Sequence, residues 1–170
     1  MSALGVSDPS KISFKLSYAE GESVRKIVEV LQAEWKKNLG VNVTMDPVPY
    51  AVLYDNQAAE KFEMMYTGWV PDYDDPVSYL ELFQTGAGYN YSQYSNAGYD
   101  KEMEAAKTEK DVKKRMDHLF AAEKIVCDDL PIIPISATRN MALWDDNRVK
   151  DFKPYYIGTS YNFIYTDIVS

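Results

Sequence analysis

At 170 residues with 46% hydrophobic content, the sequence is long enough to bury one proper core, and it contains no apolar run long enough to span a bilayer. Its 26 acidic residues against 18 basic ones give a formal charge of −8, which repels nucleic acid and anionic membrane surfaces and argues against both as partners. A single cysteine, Cys127, excludes an internal disulfide, and a single histidine, His118, excludes a histidine-cluster metal site.

The opening stretch MSALGVSDPSK has neither a basic n-region nor an apolar h-region, so no secretion signal is expected within the chain. That leaves a cytosolic protein or one whose leader has been removed. Ile12, Phe14, Leu16 and Tyr18 recur with period two and predict a half-buried strand over 11–18. Val24, Ile27, Val28, Leu31, Trp35 and Leu39 then follow helical spacing, predicting a helix over about 23–38, with Gly40 as the residue just past its end. Val41, Val43 and Met45 predict a second strand over 41–48, YAVLYDNQAAEKF a second helix, and FEMMYTGW a third strand over 62–69. The order βαβαβ implies parallel neighbours joined by right-handed crossovers. In such sheets ligands gather beyond the carboxyl ends of the strands.

The third predicted strand runs into GWVPDYDDPVSYL, residues 68–80, where three aspartates stand within four positions. Asp75, followed by Pro76 and then by Val77, Leu80 and Phe83 at helical spacing, has the pattern of a helix N-cap with proline at the first helical position. Asp74 reads as a solvated turn residue near a helix N-terminus. Asp72 lies beside Trp69 and Tyr73, aromatic neighbours that lower the local dielectric and strengthen a carboxylate's hold on a cation. A calcium loop counted from Asp72 fails, because Val77 and Phe83 occupy the positions that require glycine and glutamate. Glu81 and Asp100 match no spacing rule for a glycosidase pair, and TGAGYN lacks the lysine of a phosphate loop. No catalytic residue, cofactor or metal is therefore assigned, and the chain does not read as an enzyme.

Further along, GYNYSQYSNAGYD supports two readings. Its tyrosines could line a binding groove, or the segment is a surface loop in which Asn96 caps a helix running to Lys107. Val112, Met116, Leu119, Phe120, Val126, Cys127 and Leu130 are expected on one face of a helix over about 111–129, with Cys127 as a small core residue. His118 falls at the solvated margin of that face and is assigned no role.

Taken in order, LQAEWKKNLGVNV, GWVPDYDDPVSYL, NYSQYSNAGYDKEMEAA and AEKIVCDDLPIIPI resemble the solute-binding proteins of ABC importers in the oligopeptide and dipeptide family (family 5), over about residues 11–140. The most specific piece is Gly68, Trp69, Asp72, Tyr73 and Pro76. The resemblance implies an α/β fold, a periplasmic-binding-protein-like lobe with a mixed, mostly parallel sheet flanked by helices. Residues 1–147 would form the C-terminal ligand-binding lobe, and 148–170 a returning segment that joins the missing N-terminal lobe in the full-length protein. It further implies an oligopeptide ligand, ABC permease subunits as partners and no nucleic acid. The location it implies is extracytoplasmic, in the periplasm or lipid-anchored at the cell surface, with the signal segment absent from this chain. Asp72 would pair with the ligand's N-terminal ammonium, and the backbone of Gly68, Trp69 and Val70 would offer hydrogen bonds to the peptide main chain beside Tyr73. Rival readings are a same-family binder of a nickel chelate or an oligosaccharide, and a scaffold or sensor module without transport. In isolation, residues from about 148 onward could fold back, pair with a second copy or hang loosely.

Overall fold

Alternation of apolar side chains along Ser13–Ala19 (β1) places Phe14, Leu16 and Tyr18 on one face, against Val24, Val28 and Trp35 of the helix Glu22–Leu39 (α1). The computed structural model describes residues 7–137, 142–154, 161–163 and 165–169. It contains two compact units, residues 1–68 and 69–170.

In the first unit α1 ends at Gly40, whose φ of 77° is left-handed and whose amide closes on the Lys36 carbonyl, as the glycine's position predicts. The chain returns as Asn42–Val48 (β2), then Tyr50–Ala58 (α2) and Met64–Tyr66 (β3). The sheet order is β2-β1-β3, and both pairings are parallel. Pro47, which has no amide to donate, is accommodated because β2 is an edge strand. Leu16, Tyr18, Val28, Val41 and Val43 are the buried centre of this unit, and Leu53 of α2 is also buried.

Two expectations are corrected here. The third strand is shorter than 62–69. It ends at Tyr66, which pairs with Tyr18, and β1 has only Ala19 left beyond that pair, so Gly68 and Trp69 have no strand residue to face. At its start, the Glu63 carboxylate rather than a backbone carbonyl accepts the Lys15 amide at 2.7 Å. Gly68 and Trp69 therefore lie outside the sheet. The apolar stripe of α1 is also narrower than its spacing suggests, since Ile27 and Leu39 are exposed.

Among its described residues, the second unit is built on the α-helices Val77–Leu80 (α3), Ala97–Thr108 (α4) and Val112–Asp129 (α5). Leu80, Tyr99, Met103, Ala106, Leu119, Ala122 and Val126 form its core, where the small side chains of Ala106 and Ala122 allow close approach. Asn96 caps α4 by accepting from the Gly98 and Tyr99 amides at 2.8 and 3.1 Å, and Asp111 caps α5 through the Lys114 amide.

The face of α5 differs from the one expected. Leu119, Ala122 and Val126 are buried, with Met116 and Ile125 packed beside them, whereas Val112 (77% exposed), Phe120 (58%), Leu130 and Cys127 face outward. Phe120 and Cys127 each follow a buried residue by one position, a rotation of about 100° around the helix. Cys127 is thus an exposed thiol and not a core residue. His118 is half-buried and reaches across to α4, with Nδ1 2.7 Å from Glu102 Oε2.

Beyond residue 148 the chain pairs with itself. Val149–Lys150 (β4) is antiparallel to Asp167–Ile168 (β7), and Lys153–Pro154 (β5) to Tyr161–Asn162 (β6). The Phe152 ring lies 4.9 Å from Trp144 and 5.5 Å from Phe163.

Candidate ligand-binding site

The segment from Trp69 to Glu81 is a turn fastened at both ends. At its end, the Asp75 carboxylate accepts the Val77 amide at 2.9 Å while the Asp75 carbonyl accepts the Ser78 amide at 3.0 Å, so Asp75 serves the helix start as expected but one residue early, since Pro76 and not Asp75 stands at the N-cap of α3. At its start, the Asp72 amide donates to Ser78 Oγ at 2.8 Å, and Ser78 is fully buried. The backbone of Asp72 is therefore anchored, while its side chain is exposed.

The charged groups of this turn sort by partner. Asp75 is held by Arg115 of α5 through two contacts of 2.9 Å, one to each carboxylate oxygen. This guanidinium keeps the Asp75 carboxyl below the usual carboxylate range. Glu81 accepts a hydrogen bond from the Tyr73 hydroxyl at 2.9 Å. Burial first, then Glu81, raises the Tyr73 hydroxyl above its ordinary value, with Asp75 and Asp72 adding to the effect. Among the described residues, no cationic side chain pairs with the carboxylate of Asp72. Asp100 accepts the Thr85 amide at 2.9 Å, so both carboxylates weighed as a hydrolytic pair are engaged in local bonds.

Aromatic rings cluster at the start of the turn. Trp69 lies 5.2 Å from Tyr89, and Tyr89 lies 6.2 Å from Tyr91 in an edge arrangement. The Trp69 Nε1 atom is buried and has no hydrogen-bond partner among the described residues. Val70 and Tyr73 are exposed. Gly68 closes the first unit, and a Cβ at that position would meet nothing within 4 Å, so its backbone is open to approach.

The tyrosine-rich segment divides between the two readings. Tyr99 is core and donates to the Leu80 carbonyl, Asn90 is buried and bonds the Gln84 and Tyr94 carbonyls, and Tyr94 donates to Asp129 at 2.5 Å. Tyr89 stands beside Trp69, and Tyr91 packs on Tyr89. Trp69, Val70, Asp72 and Tyr73, singled out from the sequence, lie along this turn, and Tyr89 belongs to the tyrosine-rich segment weighed as a groove lining, but sequence reasoning did not single out Ser78 or Arg115. Ser78 was open to inference from its place in the first turn of a short helix. Nothing local marks Arg115, forty positions beyond Asp75.

The family model for the bacterial extracellular solute-binding proteins, family 5 (middle region), matches residues 3–91. The chain belongs to this family. Among curated family 5 relatives, the dipeptide-binding protein DppE of Bacillus subtilis is 37% identical over 120 residues, 71% of this chain and 22% of the relative. The periplasmic murein peptide-binding protein MppA of Escherichia coli is 34% identical over 135 residues, 79% of this chain and 25% of the relative. The chain spans about a quarter of the length of such relatives. Among solved structures, Listeria monocytogenes OppA bound to peptide superposes with a TM-score of 0.77 at 29% identity, covering 99% of this chain and 31% of that one. MppA in its unliganded open form gives 0.72 at 34% identity, covering 76% and 25%. The α/β class, with a parallel sheet flanked by helices in a periplasmic-binding-protein-like family 5 protein, is therefore the one the sequence predicts.

Proposed function

We propose that this chain is the ligand-binding C-terminal lobe, with residues 148–170 as its returning segment, of the substrate-binding component of an ABC peptide importer. The observation that carries the reading is the Asp72 carboxylate, exposed, anchored through its own backbone and without a cation among the described residues. An α-ammonium supplies that cation, and a charge-assisted hydrogen bond of this kind contributes about 1.5–3 kcal/mol. The backbone of Gly68, Trp69 and Val70 supplies hydrogen bonds to the peptide main chain, and Trp69 and Tyr73 flank the anchor. Because every peptide has an ammonium and a backbone, recognition through these groups ignores side-chain identity. Closure against a second lobe excludes water and strengthens each contact. The receptor works outside the cytoplasm, delivers to ABC permease subunits and performs no chemistry on its ligand.

A non-peptide solute is the second reading. It is favoured by the relative named Probable deoxycholate-binding periplasmic protein YgiS, from Escherichia coli, 30% identical over 124 residues. Native mass spectrometry of the full-length receptor purified from its host separates the two. A family of peptide masses is expected to travel with the protein, and a single non-peptide solute in their place would overturn the peptide reading.

A further inference from the structure

Three of the four acidic side chains in the turn region have tasks unrelated to a ligand or none, and among the described residues the one cation in contact with the turn comes from a different helix. Arg115 sits one turn into α5, half-buried, and its two terminal nitrogens meet the two oxygens of Asp75 at 2.9 Å each. Such a fork fixes orientation as well as distance, which a single contact from a lysine does not. Asp75 in turn holds the Val77 amide with its side chain and the Tyr73 carbonyl with its own amide at 2.9 Å. Tyr73 is the neighbour of Asp72. The chain of contacts Arg115, Asp75, Tyr73, Asp72 therefore closes one side of the turn, and the bond from Asp72 to Ser78 closes the other. The fork also consumes the Arg115 charge on Asp75, so that this cation does not reach Asp72, whose carboxylate stays open to an incoming one.

We propose that Arg115 is a positioning residue for ligand recognition. By clamping Asp75 it fixes the turn that presents Asp72, and by neutralising Asp75 it removes the negative charge of a carboxylate three residues away that would compete for the same cation. The inference rests on the reading of Asp72 as an ammonium anchor. It predicts that Arg115 acts on the ligand's amino end alone, although it does not touch the ligand.

The test is a cycle of variants in the full-length receptor, titrated calorimetrically with one tripeptide in free-amine and N-acetylated forms. Arg115→Met is expected to weaken the free-amine peptide by at least about threefold and to leave the acetylated one unchanged. In an Asp72→Asn background it should cause no further loss, because its effect passes through Asp72. Arg115→Lys should recover part of the affinity by restoring charge without the fork. Asp75→Asn, which keeps an oxygen for the Val77 amide, should reproduce the selective loss and serves in place of Arg115→Met if that variant does not fold. Equal losses for both peptides, or a loss that persists undiminished in Asp72→Asn, would assign Arg115 to general stability and overturn the proposal. Asp72→Asn affecting both peptides alike would instead remove the anchor itself, a distinct failure that takes this role with it.

Discussion

Arg115 and Asp75 face each other across the second unit as a two-point ion pair, both side chains under one-third exposed. Asp75 has a folded-state pKa below its ordinary value, chiefly because of Arg115. A depressed carboxylate contributes stability that is present above its unfolded value, about 3.9, and lost as the pH falls through the folded one. Acid unfolding of the chain should therefore steepen below about pH 4, and Asp75→Asn should flatten that part of the profile while changing little at higher pH beyond about 1 kcal/mol of overall stability. Circular dichroism against pH for both proteins checks this, and superimposable acid limbs would remove the pair from the stability account.

The alkaline side has its own marker. Burial, then the bond to Asp129, pushes the Tyr94 hydroxyl up to about 12. Raised folded values reverse the sign, so the contribution is complete below the ordinary value near 10 and disappears as the pH rises through about 12. Spectrophotometric titration at high pH should show late-ionising tyrosines, and Tyr94→Phe should remove one of them. A titration unchanged by that substitution would mean that Tyr94 ionises with the exposed tyrosines.

Along α5, adjacent residues should behave differently. Leu119→Ala empties a fully buried position and is expected to cost about 2–5 kcal/mol, whereas Phe120→Ala alters an exposed ring and should cost under about 1 kcal/mol. The Cys127 thiol should react with a thiol reagent in the native chain without prior unfolding. Comparable losses at 119 and 120, or a protected thiol, would restore the face that helical spacing alone predicts.

These outcomes mark where local pattern stops carrying information. β1, α1 and β2 were legible because periods of 2 and 3.6 alternate cleanly and Gly40 breaks between them. β3 was placed but overextended, because its end depends on where its partner β1 stops, a relation between segments about fifty residues apart. The face of α5 was blurred because apolar residues cover more than half its circumference, and only the position of α4 decides which are buried. Within the site, Asp72 and Asp75 were separable by the proline and the apolar run that follow Asp75. Of the supports of the turn, Ser78 is marked by its place in the first turn of a short helix, whereas Arg115 leaves no such mark, since a guanidinium on a helix has many uses.

The 170-residue chain by itself should fold yet bind peptides weakly. Without closure, Asp72 and an ammonium meet in water, where ion pairs contribute about 0–1 kcal/mol, while association must offset about 4 kcal/mol or more of lost freedom. Affinity no tighter than about millimolar is expected by NMR titration, with small shifts centred on residues 68–73. Saturable micromolar binding would mean that closure is not the source of affinity.

The role of Asp72 is tested most directly by calorimetry on the full-length receptor carrying Asp72→Asn. Removing the carboxylate's charge should weaken free-amine peptides at least about tenfold, or 1.4 kcal/mol, and hardly affect N-acetylated ones, since only the former carry the ammonium it holds. Equal losses for the two peptides, or none for either, would contradict the account.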